Sequence, residues 1–374
     1  MFLLYFLAII PVIIYTVLYF KKESVHLYEF LTCSVACLII AGIFHISLFK
    51  YMTDDVEVLS GEIIKATFHP TWVEKYKVAH YKTVYSGSGK HRTSHRVFSH
   101  YTTHYRTHSE YWDCDTNLNT TKTINRDLYD EICVNFNNKN TETPFKTGFY
   151  SGDKHVYTTY KKTSYIYPVT KTQAWANRLK CSKTVFTYPS IPNGTKLFEY
   201  PVPTDWRASN RLINEPSINL LEFDRMNSRL GFMKKVNIIL INFGENTDPL
   251  IAKYQEAKFL GGKKNDIVIC YGNKVDGIPS WSYVFSWSEN CLVKRNIETL
   301  LLSNKINNTL LISLEKEIAI NYEIKDWKKF EYITIYPSGN SILLYVLICI
   351  ILNAGMVWFI TSNDVDKDGK YGRY

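Results

Sequence analysis

Three long apolar stretches interrupt an otherwise polar chain, at residues 2–20, 30–49 and 342–361, and none of them contains a charged residue. About 20 consecutive apolar residues are enough for a helix to cross a bilayer, and membrane helices tolerate a proline such as Pro11. A cleaved signal peptide, the alternative for the first stretch, would need a basic N-region and a small-residue cleavage site, which this segment lacks. The pattern therefore predicts three transmembrane helices and an integral membrane protein.

The charges beside these stretches predict their direction. Lys21 and Lys22 follow the first stretch, and Lys367, Lys370 and Arg373 lie in the C-terminal tail. Positive charge in short loops stays on the cytoplasmic side of a membrane. We therefore expect a cytoplasmic C-terminus, and an N-terminus and a large intervening segment that are extracytoplasmic.

Between residues 51 and 165 the pattern changes to short runs rich in β-branched and aromatic residues, separated by Gly, Ser and Asn. Runs such as GEIIKATF, KYKVAHYKTVY and HRVFSHYTTHYRTHSEYW are typical of strands. Gly87 and Ser88 suit the two-residue loop of a hairpin. This segment is predicted to be an all-β, hairpin-rich region.

Residues 217–335 alternate between helical and strand patterns. The run KVNIILINFG predicts a buried strand, DPLIAKYQEAKFLGG a helix capped by Asp248 with Pro249 in its first position, and NDIVICYG a second buried strand. This order predicts a right-handed crossover between parallel strands. Two more helices are expected in SENCLVKRNIETLLLS and TLLISLEKEIAINY.

The fold class predicted for the whole chain is α+β, with three transmembrane helices, an all-β hairpin-rich region and a C-terminal α/β domain. The predicted organisation is two transmembrane helices in 1–50, the β-rich region in 51–165, a proline-rich connection in 166–216, the α/β domain in 217–335, a transmembrane helix in 342–361 and a cytoplasmic tail in 362–374.

Composition agrees with a packed, folded protein, since 46% of the residues are hydrophobic, 15% are aromatic and 21% are charged. The net charge of +9 is compatible with an acidic partner, but the Lys and Arg residues are dispersed along the sequence. Because nucleic-acid-binding proteins concentrate basic residues on one surface, we predict no nucleic-acid partner.

Histidines concentrate between residues 91 and 108, and several of them are four positions apart. Histidines four apart on a strand are roughly 13 Å from each other, whereas a Zn–N bond measures about 2.1 Å, so they cannot share one ion along the strand. A turn centred on Gly87 and Ser88 would place His80 opposite His95, which makes that pair a candidate zinc site.

The preferred interpretation of the same segment is an exposed interaction surface that gains charge near the ordinary histidine pKa of about 6.5. The residues assigned to this surface are His100, His104, His108, Tyr101 and Tyr105.

Cysteines in an extracytoplasmic segment are free to form disulfides, since such compartments are oxidising. Cys114 and Cys133 are the first candidates for a disulfide, and Cys181 competes for either of them. The spacing alone does not decide the connectivity.

The run VNIILINFGENTDPLIAKYQEAKFLGGKKNDIVICYG resembles the core of TPM domains, which are extracytoplasmic modules of thylakoid-lumen and bacterial membrane proteins. The paired N-terminal apolar stretches, the GGKKND corner and the run WSYVFSWSEN are also similar to uncharacterised membrane proteins of tailed bacteriophages. The second resemblance covers most of the chain.

The TPM resemblance implies acid phosphatase activity or calcium binding at acidic loops. The candidate metal ligands are Glu245, Asp248 and Asp266, with Asp276 as a further acidic position. Hard cations such as Ca²⁺ or Mg²⁺ need several oxygens that converge, and ligands of α/β sheets bind at the carboxyl ends of the strands. Asp248 as a helix cap and Asp266 as a turn residue are the simpler alternatives.

The function predicted from these features is a non-enzymatic, phage-encoded interaction module that is anchored in the lipid bilayer and engages envelope or virion proteins. No catalytic motif of the P-loop, HExxH or GxSxG type occurs in the sequence. The alternative is a metal-dependent phosphatase of the TPM type, and a third interpretation is a transporter or channel subunit. No cofactor is indicated apart from the divalent cation, and a homo-oligomer stays open.

Overall fold

The protein is described by a computed structural model that covers residues 13, 16–17, 20, 27–87, 89, 92–136, 141–144, 155–181, 189–207, 210–335 and 338–370. These residues form a mixed α/β structure with seven α-helices. The helices are α1 (Leu27–Thr53), α2 (Arg126–Phe136), α3 (Leu220–Lys234), α4 (Leu250–Lys258), α5 (Leu292–Ser303), α6 (Asn308–Asn321) and α7 (Gly339–Lys370).

Twelve strands in the same residues form three sheets. The strands are β1 (Asp54–His69), β2 (Trp72–Ser86), β3 (Thr93–His108), β4 (Tyr111–Thr116), β5 (Thr120–Ile124), β6 (Thr141–Pro144), β7 (His155–Tyr160), β8 (Pro168–Ala176), β9 (Leu212–Ile213), β10 (Asn237–Asn242), β11 (Asp266–Val275) and β12 (Ile278–Ser286).

Strand β1 organises the six-stranded sheet. Its first half, residues 54–62, pairs antiparallel with β8, and its second half pairs with β4 on one side and β7 on the other. Strands β5 and β6 complete the two edges. Helix α2 covers this sheet and buries Leu128, Tyr129, Ile132 and Phe136 in a shared apolar core.

The four-stranded sheet has the order β12-β11-β10-β9. Strands β9, β10 and β11 are parallel, and β12 returns antiparallel to β11 through a turn at Asp276 and Gly277. All six residues of β10 are buried, as expected for a parallel strand that is covered on both faces. Helix α4 connects β10 to β11, so the predicted strand–helix–strand unit and its parallel pairing are confirmed.

The two sheets meet where α3 lies against β1. Gly231 of α3 allows this approach, because a Cβ at that position would be 2.5 Å from the Ser60 carbonyl oxygen. The Asn265 side chain donates to the Val58 carbonyl at 2.8 Å across the same junction. Gly231 is therefore an internal contact residue of α3.

The prediction of three transmembrane helices is wrong for the residues that the structure describes, because no helix among them is long and apolar enough to cross a membrane. Helix α1 runs directly into β1, and the Thr53 carbonyl at its end accepts from the Asn177 N–H at 2.7 Å. Helix α7 continues beyond residue 361 through the polar sequence SNDVDKDGK to Lys370. The stretch 2–20 falls almost entirely outside the described residues.

The predicted localisation depended on those spans and is corrected with them. The integral membrane protein with an extracytoplasmic domain and a cytoplasmic C-terminus conflicts with the finding that the described helices include no membrane span. For the described residues the fold class is mixed α/β.

The region 51–165 was predicted to be all-β, and this is wrong because it contains helix α2. The local sequence signal for this helix is Asn125. Its side chain accepts from the Leu128 N–H at 3.1 Å. Asparagine is a preferred residue at a helix N-cap. The two helices expected after β12 are confirmed as α5 and α6.

Candidate functional site

Strands β2 and β3 form a separate sheet of two strands, 15 and 16 residues long. Pairing runs from Trp72 opposite His108 to Ser86 opposite Thr93. Most residues of both strands are exposed on both faces of the sheet. Isolated two-stranded ribbons of this length are unusual, because a hairpin without a packed face is marginally stable in water. The β2–β3 hairpin is therefore the first candidate site.

The register of the hairpin differs from the prediction. His80 lies opposite His100, whereas His95 lies opposite Val84. The loop occupies residues 87–92 instead of two residues, and β3 has one extra residue, Ser99, at a bulge beside His80 and Tyr81. The proposed zinc pair of His80 and His95 is thus not brought together.

Side chains of paired residues share a face, and alternate residues of a strand point to opposite faces. On one face the rings stack in parallel pairs: Trp72 with His108 at 4.5 Å, Tyr76 with His104 at 5.6 Å and His80 with His100 at 4.9 Å. We call this surface the His face; its aromatic members are Trp72, Tyr76, His80, His95, His100, His104 and His108, and Glu74, Lys82 and Arg106 lie on it too.

The opposite surface carries the other aromatic residues and is called the Tyr face. Its members are Tyr81, Tyr85, Phe98, Tyr101 and Tyr105, together with Lys75, Lys77 and Arg96. The five rings are between 44% and 67% exposed. The predicted interaction surface is therefore divided, because His100, His104 and His108 lie on one face and Tyr101 and Tyr105 on the other.

Basic residues are concentrated in this hairpin. Residues 72–108 contain seven Lys and Arg residues and a single acidic residue, Glu74. Glu74 accepts from the His108 ring at 2.6 Å on the His face. Arg92 and Arg96 lie over the rings of Tyr85 and Tyr81, at 4.1 and 5.9 Å from the ring centroids. The hairpin thus presents a strongly basic and aromatic surface.

The structure does not gather the acidic residues that were proposed as metal ligands. Asp266 begins β11 opposite Asn237, at the amino ends of the parallel strands. Glu245 and Asp248 follow β10, at the carboxyl ends. The six residues of β10 separate the two groups by about 17 Å, since a strand rises about 3.3 Å per residue. Within the described parts of the chain, no three His, Cys, Asp or Glu residues are placed to hold a metal ion.

Each of these acidic residues has a local structural role. Asp248 accepts from the Leu250 N–H at 2.9 Å at the start of α4, although the N-cap residue is Pro249, one position later than predicted. Asp276 has a φ of 52° in the turn before Gly277, as expected for an Asp-Gly hairpin turn. Glu245 is exposed in the loop after β10. A Ca²⁺ or Mg²⁺ site on Glu245, Asp248 and Asp266 does not fit these positions.

Asp266 belongs to a buried polar network at the amino ends of the strands. Its carboxylate accepts from the Tyr200 hydroxyl at 2.9 Å, the Asn237 amide at 2.9 Å and the Lys263 N–H at 2.7 Å. Burial raises the pKa of Asp266, and these hydrogen bonds oppose the rise only in part. The cation of Lys263 pairs instead with Asp55 of β1.

Arg211 extends this network to β1 and α3. Its guanidinium is almost fully buried and donates to Asp224 at 3.2 Å, to Asn237 at 3.2 Å and to the Ser60 hydroxyl. Lys264 pairs with Glu57 at 3.1 Å, and burial raises the pKa of Glu57 in spite of this cation. The network joins the two sheets, so its charges stabilise the packing between them. We call the described residues outside the β2–β3 hairpin the body.

A second buried carboxylate, Glu215, lies at the carboxyl ends of the same strands. It accepts from the Tyr271 hydroxyl at 2.6 Å, the Asn242 amide at 3.1 Å and the Lys274 ammonium at 2.9 Å. Burial alone would raise the pKa of Glu215, but the hydrogen bonds from Tyr271, Lys274 and the Ser217 N–H outweigh it and hold the pKa below its ordinary value. The buried carboxylate at the carboxyl ends of the strands therefore already has its hydrogen-bond partners within the protein.

The predicted disulfide between Cys114 and Cys133 is not formed, since both thiols are free. Cys114 is buried in the core of the six-stranded sheet, and this burial raises the pKa of its thiol to about 12. Cys133 on α2 has its sulfur 3.4 Å from the Thr159 hydroxyl. Side-chain contacts of Cys181, the alternative partner, lie outside the described residues.

A cavity of about 370 Å³ opens between β5, β8 and the segment 203–206. Its walls include Lys122, Lys171, Asp205 and Trp206. The Lys171 ammonium donates to the Leu118 carbonyl at 3.3 Å, so one of the two lysines that line the cavity already has a partner. None of the proposed site residues lines this cavity.

Sequence reasoning missed the Tyr face, although a signal for it was available. Positions 75, 77, 81 and 85 are all odd, so a strand with a period of two places Lys75, Lys77, Tyr81 and Tyr85 on one side. Dispersed basic residues thereby become a patch when the strand forms. No comparable signal links Glu215 to Lys274, because their contact depends on the packing of β9 beside β10 and β11.

Comparison with known proteins gives no further guidance: the chain matches no family model, no curated protein and no solved structure.

Proposed function

We propose that the protein is a binding protein for an anionic macromolecule, and that the β2–β3 hairpin is its recognition arm. The single observation that carries this proposal is the excess of seven basic residues over one acidic residue in an exposed hairpin. A cluster of one sign raises the local concentration of an oppositely charged partner and speeds its association.

The contrast with the body supports this assignment. The buried body cations pair with carboxylates inside the protein, as Arg211 does with Asp224 and Lys274 with Glu215. Lys75, Lys77 and Arg96 instead are exposed on the Tyr face, where Arg96 lies over the Tyr81 ring and none of the three pairs with a carboxylate of a described residue. Cations without a carboxylate partner in the protein are available for an anionic partner.

The envelope and virion proteins expected from the phage resemblance stay predictions, and the hairpin is the surface on which their contact should be sought. The alternative, a metal-dependent phosphatase, requires convergent oxygen ligands. Glu245 and Asp266 lie at opposite ends of the parallel strands, so that alternative lacks a site in this part of the chain.

The proposal is tested by retention of the full chain on immobilised heparin, a generic polyanion, during elution with salt. The variant Lys75→Gln, Lys77→Gln, Arg96→Gln removes three charges from the Tyr face. The matched control is Lys253→Gln, Lys305→Gln, Lys316→Gln, which removes three exposed charges from the body. Both variants therefore have the same net charge.

We expect the hairpin variant to elute at clearly lower salt than the wild type, and the control variant to elute close to it. Equal losses in the two variants would mean that only net charge matters, and the recognition arm would be rejected. Absence of retention in the wild type would reject anion binding as a whole.

A further inference from the structure

We propose that the Tyr face binds single-stranded nucleic acid, with bases stacked on its rings and phosphates held by its cations. This inference rests on the proposed function and adds to it the class of partner and the face of the hairpin. The sequence pattern predicted no nucleic-acid partner because basic residues are dispersed along the chain. Folding places three of them among aromatic rings on one face.

Rings and cations are interspersed along this face. From the tip towards the base, the rungs carry Tyr85, then Arg96, then Tyr81 with Phe98. The next rungs carry Tyr101 opposite Ala79, Lys77 opposite Thr103, and Lys75 opposite Tyr105. Ten residues separate the first rung from the last, which corresponds to about 33 Å. Such a row of stacking platforms and cations is how sequence-tolerant single-strand binders follow a backbone.

The orientation of the rings distinguishes the two faces. On the His face the rings stack on each other with interplanar angles of 8° to 23°, so their flat sides are already in contact. On the Tyr face Tyr81 meets Phe98 edge-on at 82°, and Phe98 is tilted by 48° against Tyr101. Arg92 lies over one side of Tyr85 and Arg96 over one side of Tyr81, so a base can stack on the ring surfaces that are still exposed to solvent.

The chemistry of the Tyr face favours unpaired bases over other anionic partners. In a duplex the flat sides of the bases are covered by their neighbours, and a β-ribbon reaches only base edges in the major groove. An acidic peptide would use the cations and leave five exposed rings without a role. A single strand uses both kinds of group, since every base has a π-face and every nucleotide a phosphate.

The test measures binding of the full chain to two fluorescent 15-nucleotide strands of equal charge, oligothymidylate and an abasic strand, by anisotropy at fixed salt. Oligouridylate is a third arm that separates RNA from DNA, and polyglutamate is used as a competitor. The variant Tyr101→Ala, Tyr105→Ala removes two stacking platforms. Tyr76→Ala on the His face is the matched control, and Tyr101→Phe, Tyr105→Phe retains the rings.

We expect the base-bearing strands to bind at least about tenfold more tightly than the abasic strand. The double alanine variant should lose about tenfold per tyrosine, whereas the Phe variant and Tyr76→Ala should stay close to wild type. Removal of the charges at Lys75, Lys77 and Arg96 should reduce the slope of log affinity against log salt by about 2.

Equal affinity for base-bearing and abasic strands would overturn this inference, and so would an unchanged affinity of the double alanine variant. Polyglutamate that displaces oligothymidylate at equal charge concentration would identify an acidic protein as the partner and overturn it too. In each of these cases retention on heparin would still support the proposed function. Loss of heparin retention would remove both.

Discussion

Strands β1 and β2 follow each other in the chain and have nearly equal lengths, 16 and 15 residues, but their surroundings are opposite. Strand β1 is paired along most of its length with β8, β4 and β7, and much of it is buried. Strand β2 pairs with β3 in a sheet of two strands and is mostly exposed. Local composition is enough to form either strand. The neighbouring strands determine whether it is buried or exposed.

The difference extends to the charges. On β1, Asp55 and Glu57 are buried and paired with lysines of the loop before β11. On the Tyr face, the cations lie beside exposed rings instead of carboxylates. The body therefore uses ionic contacts for its own packing, whereas Lys75, Lys77 and Arg96 of the hairpin have no carboxylate partner among the described residues. Each prediction below tests one side of this contrast against the other.

The largest effect is expected at Arg211. Arg211→Met should lower the free energy of unfolding by about 3–5 kcal/mol, because the buried Asp224 loses the guanidinium that neutralises it. Arg106→Met, an exposed arginine of the hairpin, should change it by less than about 0.5 kcal/mol. Urea unfolding measures both, and similar small losses in the two variants would refute the contrast.

A smaller and pH-dependent effect is expected at Glu215. Glu215→Gln should lower the free energy of unfolding by about 1–3 kcal/mol at neutral pH, because Tyr271 and Lys274 lose a buried anionic partner. The pKa of Glu215 is lowered in the fold. Its stabilisation is therefore present above the unfolded-state pKa of about 4.3 and is lost as pH falls through the lower folded-state pKa.

The gap between wild type and Glu215→Gln should accordingly close as the pH falls below about 4. Thermal unfolding from neutral to acidic pH measures this gap. The control is Glu245→Gln in an exposed loop, which should stay within about 0.5 kcal/mol of wild type. A gap that is independent of pH would mean that the ionised carboxylate of Glu215 does not contribute.

Tyrosine hydroxyls allow a smaller, matched comparison. Tyr200→Phe removes a hydrogen bond to the buried Asp266 and should cost about 1–2 kcal/mol. Tyr105→Phe removes a hydroxyl from a side chain that is 67% exposed and should have no measurable effect. Chemical denaturation compares them, and a hairpin tyrosine that proved as costly as Tyr200 would place the hairpin inside the cooperative unit.

The smallest effect is expected from alkylation of the thiols, which measures only how accessible each thiol is to the reagent. Cys114 is buried and the pKa of its thiol is raised to about 12, so few thiolates exist at neutral pH and alkylation should be slow. Cys291 is exposed and should react first. Peptide mapping after alkylation gives the order, and a Cys114–Cys133 cross-link in the unreduced protein would contradict the free thiols.

Elements with purely local signals were predictable. The strand–helix–strand unit of β10, α4 and β11 has continuous apolar strands, a proline at its helix start and glycines at the corner, and it is observed as expected. The cap of Asp248 on Leu250 is equally local. Such features depend on residues a few positions apart, which a single sequence displays.

The acidic candidates could not be assigned in the same way. Asp266 and Glu245 are 21 positions apart, and the distance between them depends on which end of a strand each one occupies. The true partners of the buried carboxylates, Arg211 for Asp224 and Lys274 for Glu215, come together only after both sheets have packed. Long-range contacts of this kind leave no periodic pattern.

The bulge at Ser99 carries a consequence for how this surface can change over generations. One extra residue determines that Phe98 shares a side with Tyr101, and that His95 and Val97 share a side with the other histidines. Loss of the Ser99 codon would leave residues 93–98 on their present sides, because it removes only the residue that has no partner in the ladder. If Ser99 instead took a regular position opposite Tyr81, residues 93–98 would move to the other side without any of them being altered. A lineage could therefore lose Ser99 and keep both faces, whereas loss of the bulge with Ser99 retained would exchange an aromatic rung for a histidine rung.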